Sequence, residues 1–244
     1  MRSFGKSVAG MQRKNNEDSI YTGGENAPVK NVFIVADGMG GHNAGEVASS
    51  LAIDTFVEYI KENYDSENLL DILVEGVVKA NKVVFEEAVN NENENGMGTT
   101  FTCVCIEDKK LYAVHVGDSR IYILGKEGLK QITNDHSFVM EMVKQGRITL
   151  EEARIHPKRN IITRAVGTEK SIDVDTIIKE IKEDDIILMC SDGLYGMVSD
   201  ADMEKIISES KDIKQCVETL ILKANENGGK DNISAIIIRN EVKA

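Results

Sequence analysis

"FIVADGMGGHNAGEVAS", residues 33–49, runs an apolar strand pattern into Asp37, then a glycine-rich turn, then a helical pattern. By itself an Asp-Gly pair is a common turn signal. The arrangement recurs, because "IILMCSDG" (186–193) is again an apolar run leading into Asp192-Gly193. "HVGDSRIYI" sets Asp118 at another strand-like junction, and "GGKDNISAIII" sets Asp231 just before the last apolar run. Four strand ends therefore each present a carboxylate. No repeat of fixed period underlies them, so this is one local device used four times and not a tandem array.

Working outward, the apolar run 31–36 reads as a buried strand bounded by turn signals. The helix after it has Asn43 as N-cap and Glu46 three residues on, the spacing of a capping box. Ala44, Val47, Ala48, Leu51, Ala52, Phe56, Tyr59 and Ile60 form its apolar stripe. A second helical pattern covers about 67–90. The segments 99–107, 110–117 and 119–124 read as strands, and their two-residue separations suggest antiparallel hairpins or a meander. Both alternating sets of 99–107 are largely apolar, as in a strand covered on both faces. His115 shares a face with Leu111 and Ala113 and reads as a core or edge histidine, not a ligand. Later strands are expected at 174–181, 185–190 and 231–239, with helices at about 200–209 and 212–226. Strands clustered apart from helices give an α+β chain, with sheets packed together and helices outside.

The chain has 244 residues and only two prolines, with no linker-like composition change, so a single domain over 1–244 is expected. A net charge of −12 argues against a nucleic-acid partner, which needs clustered Lys and Arg. The N-terminal residues lack the apolar segment of a secretory signal, and no run approaches the ~18 apolar residues of a membrane span, so a cytoplasmic location is expected. Cys103, Cys105, Cys190 and Cys216 lack Cys-x-x-Cys spacing, which suggests buried small hydrophobes and neither a zinc site nor a disulfide framework.

If the strand ends converge, Asp37, Asp118, Asp192 and Asp231 repel one another and raise each other's pKa. Divalent cations resolve this, and an all-oxygen donor set favours Mg²⁺ or Mn²⁺ over zinc or copper. Gly38 lets the backbone beside Asp37 approach an ion closely. "RKNNED" (13–18) adds Arg13, whose guanidinium can hold a phosphate through two parallel hydrogen bonds, followed by Glu17 and Asp18. Two cations and an arginine around a phosphoryl group is the layout of metal-assisted hydrolysis.

Taken in order, "RKNNED", "VADGMGGHNAGEVAS", "MGTTFTCV", "VGDSRIY", "TNDHSFV", "NIITRAVG", "LMCSDGLYGMV" and "GGKDNISAII" resemble the PP2C-type (PPM) metal-dependent protein serine/threonine phosphatases of the compact bacterial kind, over nearly the whole chain. The resemblance implies a four-layer α-β-β-α sandwich of two mainly antiparallel sheets with helices on the outer faces. It implies hydrolysis of phosphoserine and phosphothreonine by a metal-bridging water, with two Mn²⁺ or Mg²⁺ ions and a third position. By similarity Asp37 bridges the two ions, the Gly38 carbonyl serves one, and Asp192 and Asp231 serve the other. Asp118 joins Asp192 at the third position. Glu17 and Asp18 act through water, Asn232 supports them, and Arg13 binds the phosphate. Gly98-Thr99-Thr100 looks structural. The eukaryotic branch has Asp-Gly-His, whereas three residues separate Gly38 from His42 here; His42 is the candidate general acid and His136 a second one. Partners implied are phosphoproteins made by a serine/threonine kinase, acted on by a monomer, with no nucleic acid and no membrane.

Residues 144–164 carry six Lys/Arg against two Glu, a local +4 in an acidic chain. The resemblance places them in a flap subdomain at about 137–165 beside the site, suited to attracting phosphorylated protein. The alternative is a non-catalytic phosphoprotein-binding module on the same fold, which would be expected to have lost metal aspartates; all four, and Arg13, are present. A phosphatase dedicated to an anti-sigma-factor antagonist would lack much of this motif set. A nucleotide-dependent enzyme would show a Gly-x-x-x-x-Gly-Lys-Ser/Thr loop, which is missing.

Overall fold

The protein is described by a computed structural model over residues 1–41 and 44–239. The strand that begins the quoted stretch, β3 (Val32–Met39), alternates as strands must. Ile34 and Ala36 point into a core with helices, whereas Phe33 and Val35 point into a core shared with a second sheet. Both faces are covered, which is why the run carries almost no polar residue.

The sheet containing β3 has the order β2 (Asp18–Thr22), β3, β5 (Phe101–Glu107), β6 (Lys110–Val116) and β9 (Asp175–Glu180), with β4 (Gly98–Thr99) paired on the end of β3. The second sheet has the order β1 (Arg2–Val8), β11 (Ile233–Arg239), β10 (Ile186–Cys190), β7 (Arg120–Gly125) and β8 (Gly128–Gln131). Every pairing is antiparallel. Phe33, Val104, Leu111 and Ala113 of the first sheet pack on Ile121, Ile187, Met189 and Ile236 of the second. Helices α1 (Ala44–Asn63) and α2 (Leu69–Asn90) close the outer face of the first sheet, with Ala48, Ala52, Phe56 and Ile60 buried along one stripe of α1. Helices α6 (Asp200–Glu209) and α7 (Ile213–Glu226) close the second. Three cores thus separate four layers, and the expected α-β-β-α sandwich is the observed fold. Among the described residues no helix is long and apolar enough to cross a membrane.

Several details differ from the sequence reading. The strand expected to stop before Asp37 runs on to Met39, because β4 pairs Gly38 with Thr99 and Met39 with Gly98. The expected meander exists only between β5 and β6, whose two-residue turn Asp108-Lys109 has φ of 48° and 62°, the hairpin-favouring left-handed region. After β6 the chain leaves its sheet at Gly117 (φ 106°), and β7 pairs with β10 in the other sheet. Finally, Asp192 does not end a strand: it opens the one-turn helix α5 (Asp192–Tyr195). The edge strands β1 and β8 and the short β2 escaped the sequence reading because they are half-exposed and carry no long apolar run. Asn43, the expected cap of α1, and His42 lie outside the described residues.

Candidate active site

The two sheets meet at one end of the sandwich in a ring of acids. Asp37 comes from β3, and Asp18 faces it as its registered neighbour on β2. Asp118 sits in the crossing between sheets, one residue past Gly117. Asp192 follows β10 and Asp231 precedes β11, both from the second sheet. The carboxyl of Asp37 is held well above its ordinary value, first by burial and then by the charges of Asp18, Asp192, Asp118 and Asp231. The four predicted aspartates therefore converge, together with Asp18. Burial also pushes Asp118 up to about 8, Asp18 to about 7 and Asp192 to about 6, with neighbouring aspartates adding to each.

Backbone bonds fix the acids in place. The Asp37 amide donates to Thr100 Oγ1 at 2.9 Å, while Thr100 N–H and Thr99 Oγ1 donate to the Asp37 carbonyl at 2.9 and 3.0 Å. This is the structural role expected of Gly98-Thr99-Thr100. Gly38 donates its N–H to the Glu17 carbonyl at 3.1 Å, and a Cβ on it would overlap the Gly45 carbonyl oxygen. The turn into α1 and the approach of Glu17 thus exclude any side chain at 38. Asn232, which is buried, accepts from Glu17 N–H at 2.8 Å and donates to the carbonyls of Asn15 (2.8 Å) and Ala9 (3.2 Å). It ties the loop bearing Arg13 to the start of β11. Glu17 sits partly buried, which raises its pKa, and the Arg13 charge opposes that rise. Arg13 itself stands half-exposed at the mouth, with Nη2 2.9 Å from Asp231 Oδ2.

Asp118 is held by groups that the sequence reading did not single out. Tyr195, three residues after Asp192 on α5, donates its hydroxyl to Asp118 Oδ2 at 3.3 Å. The Arg120 guanidinium lies 3.6 Å from the Tyr195 ring centroid and is gripped by Asp135, with Nη2 2.7 Å from Oδ2. A signal existed, since an aromatic at i+3 on a helical turn shares a face with residue i. His136 and His115 are structural. His136 accepts from Gly117 N–H at Nδ1 (3.0 Å), and its Nε2 lies 3.2 Å from Asp175 Oδ2, so both ring nitrogens are engaged. His115, fully buried beside Thr102 Oγ1 (3.0 Å), has its pKa pressed down to about 3, mainly by burial, and remains neutral. That is the core histidine expected.

The acids fit hard divalent cations. They are buried or partly buried, mutually repelling and oxygen-only, and Asp18 Oδ1 is buried with no hydrogen-bond partner among the described residues. Among the described residues no three His, Cys, Asp or Glu side chains are disposed to hold one ion by themselves. Carboxylate oxygens suit ions of the Mg²⁺ type, which keep several waters and take one or two carboxylates each. Beside the acids, 137–162 folds back on itself through a bridge between Ser137 and Ile162, carrying α3 (Phe138–Lys144) and α4 (Leu150–Ile155). Arg154 on α4 lies 3.1 Å from Asp200, and the charge of Arg159 reaches Asp192.

Comparison with known proteins shows the family. The model of the Protein phosphatase 2C family matches residues 11–236. The chain is 38% identical over 234 residues to serine/threonine phosphatase stp of Listeria innocua, covering 94% of this chain and 92% of that one. The crystal structure of the Mycobacterium tuberculosis serine/threonine phosphatase PstP/Ppp superposes with a TM-score of 0.91 at 36% identity, over 99% of both chains. A catalytic domain of PstP solved with two manganese ions superposes with a TM-score of 0.86 at 35% identity, over 97% of this chain and 96% of that one.

Proposed function

The chain belongs to the protein phosphatase 2C family of metal-dependent protein serine/threonine phosphatases, and from that premise we propose which of its residues carry the reaction. The observation that supports the assignment is the convergence of five aspartates from both sheets, Asp18 and Asp118 buried and Asp37, Asp192 and Asp231 partly so, with Arg13 at their rim. Asp37 and the Gly38 carbonyl from one sheet, and Asp192 and Asp231 from the other, would hold two Mn²⁺ or Mg²⁺ ions; Asp118 with Asp192 would serve a third position. Bound there, such ions supply Lewis-acid polarisation of the phosphoryl oxygens and an acidic water as the nucleophile.

The chain's own groups do the rest. Arg13 exchanges its contact with Asp231 for the substrate phosphate, holding it by a bidentate fork and stabilising charge on the transferring group. Glu17 and Asp18 orient water at the centre, and Asn232 holds the Glu17 segment against β11. Proton delivery to the leaving serine or threonine oxygen is assigned to His42, since both ring nitrogens of His136 are engaged. Substrates are phosphoserine and phosphothreonine proteins, the products of a serine/threonine kinase, met by a cytoplasmic monomer. The flap over about 137–165 contributes Arg154, Lys158 and Arg159 to their capture.

The test is phosphate release from a phosphothreonine peptide with Mn²⁺ and with EDTA, for the parent and Asp192→Ala. Activity that requires Mn²⁺ and falls by about 10³-fold in the variant is expected, matching loss of several kcal/mol of charge stabilisation. An EDTA-resistant activity, or an Asp192→Ala variant as active as the parent, overturns the assignment.

A further inference from the structure

Asp18 is pinned at one oxygen only. Ser191 Oγ donates to Asp18 Oδ2 at 2.8 Å, and Ser234 Oγ lies 2.7 Å from the same oxygen. The two serines also brace each other, since Ser234 N–H donates to Ser191 Oγ at 3.0 Å. Ser234 Oγ lies 2.8 Å from Ser7 Oγ as well. Its single proton goes to the carboxylate, so Ser7 donates to Ser234, and Asn16 Nδ2 donates to Ser7 at 2.8 Å. The chain of bonds begins on β1 and crosses β11 to reach β2 and the junction before α5. Ser191 and Ser234 are fully buried, so no water substitutes for a missing hydroxyl.

The other oxygen, Oδ1, is buried without a partner, in a carboxylate that faces Asp37 in register and feels the charges of Asp192 and Asp231. A buried carboxylate with both oxygens saturated by hydroxyls would have nothing to offer an ion. One held at Oδ2 alone is oriented, with Oδ1 left for a cation or for water around it. Partners behind a metal's immediate ligands set their orientation and charge in this way. We propose that Ser191 and Ser234, backed by Ser7, are positioning residues for divalent-metal uptake at this centre, acting by aiming Asp18. The inference rests on the metal reading above.

Calorimetric titration with MnCl₂ separates the two. The parent, Ser191→Ala and Ser234→Ala are compared, with the melting temperature of each recorded in EDTA. About tenfold weaker Mn²⁺ binding in each variant is expected, with the metal-free melting temperature close to the parent's. Ser234→Cys keeps a side chain of the same shape, slightly larger, and replaces a strong donor by a weak one, so it must weaken binding in the same direction if the alanine variant does not fold. Mn²⁺ binding within twofold of the parent in these variants overturns the proposal while leaving the metal reading intact. A parent that takes up no Mn²⁺ overturns both.

Discussion

At the scale of single residues, the site is built from groups whose freedom has been removed. Gly38 illustrates the steric side. Because a Cβ would overlap the Gly45 carbonyl oxygen and stand 2.5 Å from that of Glu17, Gly38→Ala must push apart α1 and the segment bearing Glu17. We expect a loss of about 3 kcal/mol or more in urea unfolding, typical of overpacking against backbone; a variant within about 1 kcal/mol of the parent would show that the turn is plastic. Arg120 illustrates the electrostatic side. Its pair with Asp135 is largely buried, so Arg120→Ala strands a carboxylate and also frees the Tyr195 ring. Breaking such a pair costs about 3–5 kcal/mol. Tyr195→Phe is milder: it deletes one donor to Asp118, and a fall in kcat/KM of about fivefold is expected with little change in melting temperature. Unchanged kinetics would mean that Asp118 needs no help from α5.

At the scale of elements, the informative boundary is the crossing between β6 and β7. Local periodicity identified both strands, yet a hairpin and a change of sheet look alike in "HVGDSRIYI". Gly117 decides it, because its φ of 106° turns the chain out of one sheet and delivers Asp118 to the space between the two. His136 seals that turn through the Gly117 amide and opens the flap one residue later. The flap's basic residues belong to the same scale. Neutralising Arg154, Lys158 and Arg159 together should raise KM for a phosphoprotein more than for a small aryl phosphate, and the difference should shrink in high salt. Equal effects on both substrates would remove the flap from substrate capture. Arg159 is expected to account for most of the change, because its charge reaches Asp192.

At the scale of the whole molecule, the acid ring makes stability depend on pH and metal together. Asp18 near 7, Asp118 near 8 and Asp37 well above its ordinary value all bind protons more tightly folded than unfolded. Without metal, their deprotonation on raising the pH is therefore easier in the unfolded chain, and stability falls. His115 works the other way, but only below about 6.5, where the unfolded ring gains its proton. In EDTA the melting temperature should accordingly fall from above about pH 4, where the unfolded carboxylates ionise, up to about pH 8, with His115 offsetting one of these groups until about 6.5, and Mn²⁺ should abolish the fall; a flat metal-free profile would contradict the convergence of these acids. The sequence by itself determined a good deal: the α+β class, the long helices, the doubly covered strand within 99–107, the recurrence of four aspartates as an all-oxygen donor set, and the family. These are local signals, carried by periodicity, by turn residues and by donor type. Only the tertiary structure decided that Asp118 lies at a change of sheet, that Tyr195, stacked on Arg120, bonds it, and that Ser191 and Ser234 bond Asp18. Those partners stand 173 and 216 positions away from Asp18 along the chain. Periodicity reports that a face is buried, whereas the neighbour it meets is set by how two sheets pack, and that is a property of the folded whole.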